Sequence, residues 1–163
     1  MTLPLKPPVK PQLARSAKEL PEGEDWRYEP KFDGFRTIVF RDGDDVHLQS
    51  RNGKPMNRYF PEIAPQIADL AADRVVLDGE MIVVVDGVQE FDLLSQRIHP
   101  AASRVERLSK ETPAGFVAFD LLGQRIHPAK SRVEMLAQET PAAFVAFVHS
   151  FPTRRSSNLK SVV

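Results

Sequence analysis

Apolar residues along the first ninety positions fall mostly into short runs, with one stretch at helical spacing. Trp26 to Lys31 and Phe35 to Phe40 read as strands separated by Asp33-Gly34, and Asp42-Gly43-Asp44-Asp45 is a turn leading into a third strand, Val46 to Ser50. Arg51 to Asn57 is a polar loop. Phe60, Ile63, Ile67 and Leu70 then share one side of a helix, which predicts an amphipathic helix over Arg58 to Ala72. Val75 to Val85 is apolar apart from Asp78-Gly79-Glu80, so a buried strand with a polar break is expected there, and Asp86-Gly87 turns the chain toward Phe91. Met1 to Pro21 is proline-rich and should be extended, with one short helix near Leu13 to Leu20. Strands outnumber helices and short turns join them. The expected class is therefore α+β, mostly antiparallel sheet with flanking helices, and not a doubly wound parallel sheet.

The second half breaks this pattern with a tandem repeat. Residues 91–118 return as 119–146 with 22 of 28 positions identical, from Phe91-Asp92-Leu93-Leu94 and Phe119-Asp120-Leu121-Leu122 onward. Two copies that share nothing with the first ninety residues do not make a solenoid. Their near-identity reads as a recent duplication or an assembly error. Phe151 to Leu159 resembles the translation of a common sequencing adaptor, so residues 148–163 are set aside as a non-native tail, although Arg154-Arg155 in a Ser-rich tail would also suit nucleic acid.

Composition narrows the picture only modestly. A chain of 163 residues suits one medium domain. Its 22 Lys and Arg balance 22 Asp and Glu, which argues against a purely electrostatic grip on nucleic acid but leaves room for local basic patches. There is no cysteine, which excludes disulfides and thiolate metal sites and fits a reducing cytoplasm. The N-terminus lacks an apolar core of signal-peptide type, and no stretch approaches the roughly 18 apolar residues of a membrane span. A cytoplasmic protein with no membrane partner is expected.

The candidate chemistry begins at Glu29-Pro30-Lys31-Phe32-Asp33-Gly34-Phe35-Arg36. Residues two apart in an extended chain share a side, so Glu29, Lys31 and Asp33 project together, and Pro30 favours the extended form at Glu29. Gly34 is expected to leave room for a phosphate to approach the backbone, and Arg36 adds a permanent planar cation. The set suits a lysine nucleophile attacking an α-phosphate. A free lysine, with a pKa near about 10.4, needs neighbouring cations, a metal or desolvation to act at neutral pH. Taken alone the segment is equally a β-hairpin turn with solvated charges. Ser50-Arg51-Asn52-Gly53 could return an arginine to the same pocket, or be a surface turn. Leu77-Asp78-Gly79-Glu80 puts two carboxylates inside an apolar strand, where burial is costly unless they are paired or bind metal. His99 and its copy His127 have no ligand set around them and read as structural or surface residues.

These segments, in this order and spacing, resemble the covalent nucleotidyltransferases: ATP-dependent DNA ligases, RNA ligases and messenger-RNA capping enzymes. Lys31 to Arg36 is similar to the nucleophile motif of that family, Ser50 to Gly53 to its second motif and Asp78 to Glu80 to its third. Phe116-Val117-Ala118-Phe119-Asp120 resembles the next. Arg58-Tyr59-Phe60-Pro61-Glu62 and Gln96-Arg97-Ile98-His99-Pro100 look like the small actinobacterial DNA ligases of end-joining and repair. The likeness runs from Leu3 to Leu122. It implies that Lys31 takes AMP, that Glu29 recognises the adenine side, and that Arg36 and Arg51 contact ribose or phosphate. It also implies that Glu80 binds ribose or metal, Phe119 stacks on adenine and Asp33 assists at the DNA nick. The implied cofactors are ATP and a divalent metal, magnesium, and the implied partner is nicked or broken double-stranded DNA, bound by a monomeric parent protein.

The same resemblance exposes a gap. A Glu-Gly-Val-Val-x-Lys-like motif, a later Lys-x-Lys motif and a C-terminal OB-fold all belong to the family pattern, and after Leu122 the sequence re-enters its repeat instead. The expected organisation is the N-terminal part of an adenylation domain over residues 1–122, a near-copy of 91–119 at 119–147, and the tail. Adenylation by this chain alone is expected to be poor or absent. A non-catalytic nucleotide- or DNA-binding module, or an RNA ligase or capping-type enzyme, would share the lysine motif.

Overall fold

The computed structural model describes residues 3, 5–13, 19, 31–125 and 145–147. The strand Trp26 to Lys31 (apart from Lys31), the short helix near Leu13 to Leu20, Glu29, most of the second repeat copy and the tail lie outside the described residues. Six strands form one sheet: β1 (Phe35–Asp42), β2 (Asp45–Ser50), β3 (Arg74–Val85), β4 (Val88–Gln89), β5 (Ala114–Arg125) and β6 (Val145–Phe147). The order is β2-β1-β3-β5-β6, with β4 paired to the end of β3. All pairings are antiparallel except β5 with β6. With helices α1 (Ile63–Ala68), α2 (Phe91–Ser95) and α3 (Ala102–Glu111), this is the expected α+β class.

Turn chemistry sets the hairpins. Gly43 (φ +66) closes β1 onto β2, with Asp42 opposite Asp45. Asp86 and Gly87, at φ +51 and +82, join β3 to β4 with two consecutive left-handed residues, the conformation that matches strand twist.

Strand alternation gives the sheet two different faces. Val39, Leu48, Val75, Leu77, Met81 and Phe116 face the helical side and pack with Phe60, Ile63, Ile67 and Leu94 in the main core. Burial of each such side chain contributes on the order of 1.5–3 kcal/mol. Ile38, Phe40 and Val76 face the other way and are covered by Leu3, Leu5, Val9 and Leu122. The N-terminal arm is held there by the fully buried Gln49, whose amide nitrogen donates to the Val9 carbonyl (2.6 Å) and whose oxygen accepts from the Val9 N–H (3.0 Å).

Two expectations need correction. The helix over Arg58 to Ala72 is a 3-10 turn at Asn57–Tyr59 followed by the six-residue α1. Pro61 disfavours helical geometry at Phe60, which sits at φ −134, ψ 60, although Phe60, Ile63 and Ile67 are all buried as their spacing predicts. The polar break in Val75 to Val85 does not exist: β3 runs unbroken from Arg74 to Val85. Asp78 and Glu80 share the face of Val76, while Gly79 lies on the core side beneath the Phe116 ring, where an added Cβ would come within 2.6 Å of that ring.

Candidate functional site

Register brings three sequence-distant segments together on the face opposite the main core. Arg36 at the start of β1 stands opposite Glu80, and Ile38 opposite Asp78. On the other side of β3, Asp78 pairs with Asp120 and Gly79 with Ala118, so Phe119 is the extra residue of a β-bulge. Bulges re-aim side chains. Here the Phe119 ring lies with the Arg36 guanidinium 4.5 Å from its centroid and the Phe32 ring 6.3 Å away, the two aromatic planes at 20°.

Arg36 forks onto Asp78: Nε donates to Oδ1 at 2.7 Å and Nη2 to Oδ2 at 2.9 Å. Burial pushes the Asp78 carboxyl above its ordinary range, against the pull of Arg36. Its immersion in an apolar strand, at 3% exposure, is thus compensated by a partner 42 residues away. Glu80 is different. It is partly buried, and among the described residues no side chain pairs with it. Burial raises its pKa most, the Arg36 and Lys31 cations lower it, and Asp78 and Asp33 raise it further.

Lys31 and Asp33 project to one side as their spacing predicts, with Nζ 3.8 Å from Oδ1 and both side chains largely exposed. The Asp33 N–H donates to the Gln89 side chain of β4 at 2.8 Å, which ties the segment to the β3–β4 hairpin. Gly34 has a role other than the expected one. It is not a positive-φ turn residue, and an added Cβ would stand 2.1 Å from the Met81 carbonyl oxygen and 2.7 Å from Glu80 Cγ. The missing side chain lets the Lys31–Asp33 segment press onto β3 beside Glu80; it does not open space for phosphate. Arg51 arrives at the same edge, its N–H donating to the Arg36 carbonyl at 3.1 Å, in a turn closed by Gly53 at φ +79. Its side chain is exposed.

Lys31, Asp33, Arg36, Arg51, Glu80 and Phe119 therefore lie in or beside neighbouring strands of the sheet near the start of β1, and Glu29 lies outside the described residues. Asp78 joins them. The sequence marked it as a buried carboxylate, but its partner became visible only through the β1–β3 register. Arg97 was missed. It is wholly buried, with Nη1 2.7 Å from Glu62 Oε1 and Nη2 donating to Glu62 Oε2 and the Tyr59 carbonyl, both at 2.8 Å. Glu62 Oε1 also accepts from the Ala114 N–H at 3.0 Å, so this pair staples α1 and α2 to β5 on the helical side. His99 behaves as a structural residue, its Nδ1 accepting from the Ala101 N–H at 3.1 Å just before α3.

The chain matches the model of the ATP dependent DNA ligase domain over residues 11–161, and it belongs to that family. Among individual relatives, it is 52% identical over 122 residues to DNA ligase C1 of Mycolicibacterium smegmatis, covering 72% of this chain and 35% of that one. It is 55% identical over 118 residues to DNA ligase C of Mycobacterium tuberculosis, covering 72% and 32% respectively. The chain thus spans about a third of the length of the curated relatives it matches. A solved structure titled mycobacterial DNA ligase D complexed with ATP and MES is 31% identical, with a TM-score of 0.43 over 61% of this chain and 30% of the other. Among the described residues no helix is long and apolar enough to cross a membrane.

Proposed function

We propose that this chain carries the nucleotide-accepting part of an ATP-dependent DNA ligase, with Lys31 as the acceptor. The Lys31 amine, once it has lost a proton, attacks the α-phosphorus of ATP. A P–N bond forms, the bond to the bridging oxygen of the β-phosphate breaks, and pyrophosphate leaves with that electron pair. In the full-length parent the AMP then passes to the 5′-phosphate of nicked DNA, and the 3′-hydroxyl displaces it. The observation that carries the reading is the convergence of an exposed lysine, a forked arginine, a half-buried carboxylate with no side-chain partner among the described residues and a half-exposed aromatic ring from three neighbouring strands and the segment before them.

Within that reading Phe119 offers its ring to adenine, Arg36 and Arg51 meet ribose or phosphate, Glu29 reads the adenine side and Asp33 acts at the nick. Among the described residues no cluster of three or more metal-ligating side chains exists, which suits a magnesium ion held mainly by triphosphate oxygens and water, with Glu80 as the protein's ligand. Such an ion supplies charge neutralisation on the phosphates. Residues 1–122 form the functional part, with 119–147 a near-copy of 91–119 and 148–163 a non-native tail.

Incubation with α-labelled ATP and magnesium, followed by peptide mapping, tests the assignment. The expected result is an acid-labile AMP adduct on Lys31 alone, formed far more slowly than by a full-length relative and absent from Lys31→Ala. An adduct that persists in Lys31→Ala overturns it. Saturable ATP binding with no transfer would instead favour a non-catalytic nucleotide-binding module.

A further inference from the structure

The main core contains one socket for the segment 91–119. Leu94 of α2 and Ala114 and Phe116 of β5 enter it, and Arg97, just after α2, and Val105 and Leu108 of α3 are buried with them, all at most 7% exposed. Each of these residues returns unchanged 28 positions later, as Leu122, Arg125, Val133, Leu136, Ala142 and Phe144. The copies differ at six positions: Ser95, Ala102, Arg107, Ser109, Lys110 and Gly115. Five of these are exposed or partly exposed in the seated copy, and only Gly115, replaced by Ala143, is buried. The surface that fills the socket is thus nearly the same in both copies, with Gly115 to Ala143 the one buried difference, a single methyl group. Phe116 lies over the bare backbone of Gly79, and the Ala114 N–H reaches Glu62; Phe144 and Ala142 carry the same groups.

We infer that residues 119–147 are a second occupant of the socket that 91–119 fills, so the chain has two mutually exclusive folded registers. The exchange leaves β1 to β4 and α1 untouched. It releases residues 91–118 as a loop after β4, whose two residues are both exposed, and loop-closure entropy rises only slowly with length. The same exchange carries Phe147 to the place of Phe119 over Arg36. The registers are not equal in stability. In the first, β5 continues through Asp120–Arg125 along β3 as far as Arg74, and Leu122 packs on Ile38, Phe40 and Val76. In the second, that stretch would be Val148-His149-Ser150-Phe151-Pro152-Thr153, in which Pro152 has no N–H for the ladder. The first register is the major one and the second a reserve.

Substitutions that spoil one occupant at a time test this in the full 163-residue chain. Phe116→Asp, Phe144→Asp and the double variant are melted by circular dichroism, and limited proteolysis with mass mapping reports which copy is protected. The expected result for Phe116→Asp is a cooperative transition at a lower temperature than the parent, with protection lost from 91–118 and gained across 126–144, the part of the second copy outside β5 and β6. Phe144→Asp should melt as the parent does, and the double variant should show no cooperative transition. A Phe116→Asp chain as unfolded as the double variant overturns the inference. So does a Phe144→Asp chain destabilised as much as Phe116→Asp, or a double variant that still melts cooperatively.

Discussion

The two faces of the sheet each hold an arginine forked onto a carboxylate, and the contrast between the pairs separates scaffold from site. On the helical face Arg97 is fully buried, Glu62 is 13% exposed in its side chain, and both carboxylate oxygens and a backbone N–H are used within the pair's network. Arg97 Nε and Nη1 make no hydrogen bond among the described residues, but the guanidinium is sealed from solvent, so the pair is an internal staple. On the opposite face the side chain of Arg36 is 26% exposed and that of Asp78 5%. There the fork is the floor of something unfinished: an aromatic ring above the guanidinium, a carboxylate without a partner among the described residues, and a lysine reaching into solvent. Polar groups sealed inside a core hold a fold together; those that still reach solvent are what a charged ligand can use.

The strongest way to break this comparison is to remove the staple. Glu62→Ala leaves Arg97 as an uncompensated buried charge, and loss of one partner of a buried pair costs about 3–5 kcal/mol. The repeat cannot relieve it, because Arg125 in the second copy would meet the same missing carboxylate. Urea unfolding should show most of the stability gone. An effect as small as that of a surface substitution would mean Arg97 finds other acceptors and the staple is ornamental. Arg36→Ala is the matched experiment on the open face, with a smaller expected loss of about 1–3 kcal/mol, since Asp78 can take up a proton when its cation is gone. That loss should shrink in mildly acid solution, where the protonated carboxyl no longer misses the guanidinium. A pH-independent loss would show that Asp78 stays ionised without Arg36.

Much of the scaffold was legible in the sequence because local chemistry dictates it. Asp42-Gly43 and Asp86-Gly87 specify turns through the left-handed conformations they tolerate, and the apolar run Phe35 to Phe40 reads as a strand without tertiary help. Where local and tertiary demands competed, the reading slipped. The apolar spacing of Phe60, Ile63 and Ile67 was right, but Pro61 broke the helix that the spacing suggested. Asp78-Gly79-Glu80 resembled an interruption because a strand that faces a core on one side and a polar site on the other shows both characters in alternation. The membership of the site was also largely legible, through the motif resemblance. What escaped was pairing: Arg36 with Asp78 and Arg97 with Glu62 are 42 and 35 residues apart, and no local pattern encodes a register across such separations. Gly34 was misread for the same reason, since the atoms that forbid its Cβ come from β3.

The smallest effect in the set sharpens the comparison most, because it predicts a gain in stability from damage to the site. Glu80 has a folded-state pKa raised above its ordinary value of 4.5, with burial as the leading cause. Between the unfolded and folded values the native chain holds a proton that the unfolded chain releases, so stability falls as pH rises through that window and stays lowered above it. At neutral pH the ionised carboxylate is a cost the fold carries; below the window it is not. Glu80→Gln removes the charge at every pH. The variant should melt slightly higher than the parent at pH 7, the smallest of the three changes. The gap should close as the pH is lowered through the ordinary glutamate range. Nucleotide transfer should fall at the same time, the exchange expected of a group kept for chemistry at the expense of stability. If Glu80→Gln instead melts lower at neutral pH, the carboxylate is held by a cation as Glu62 is, and the open face is a second staple and not a site.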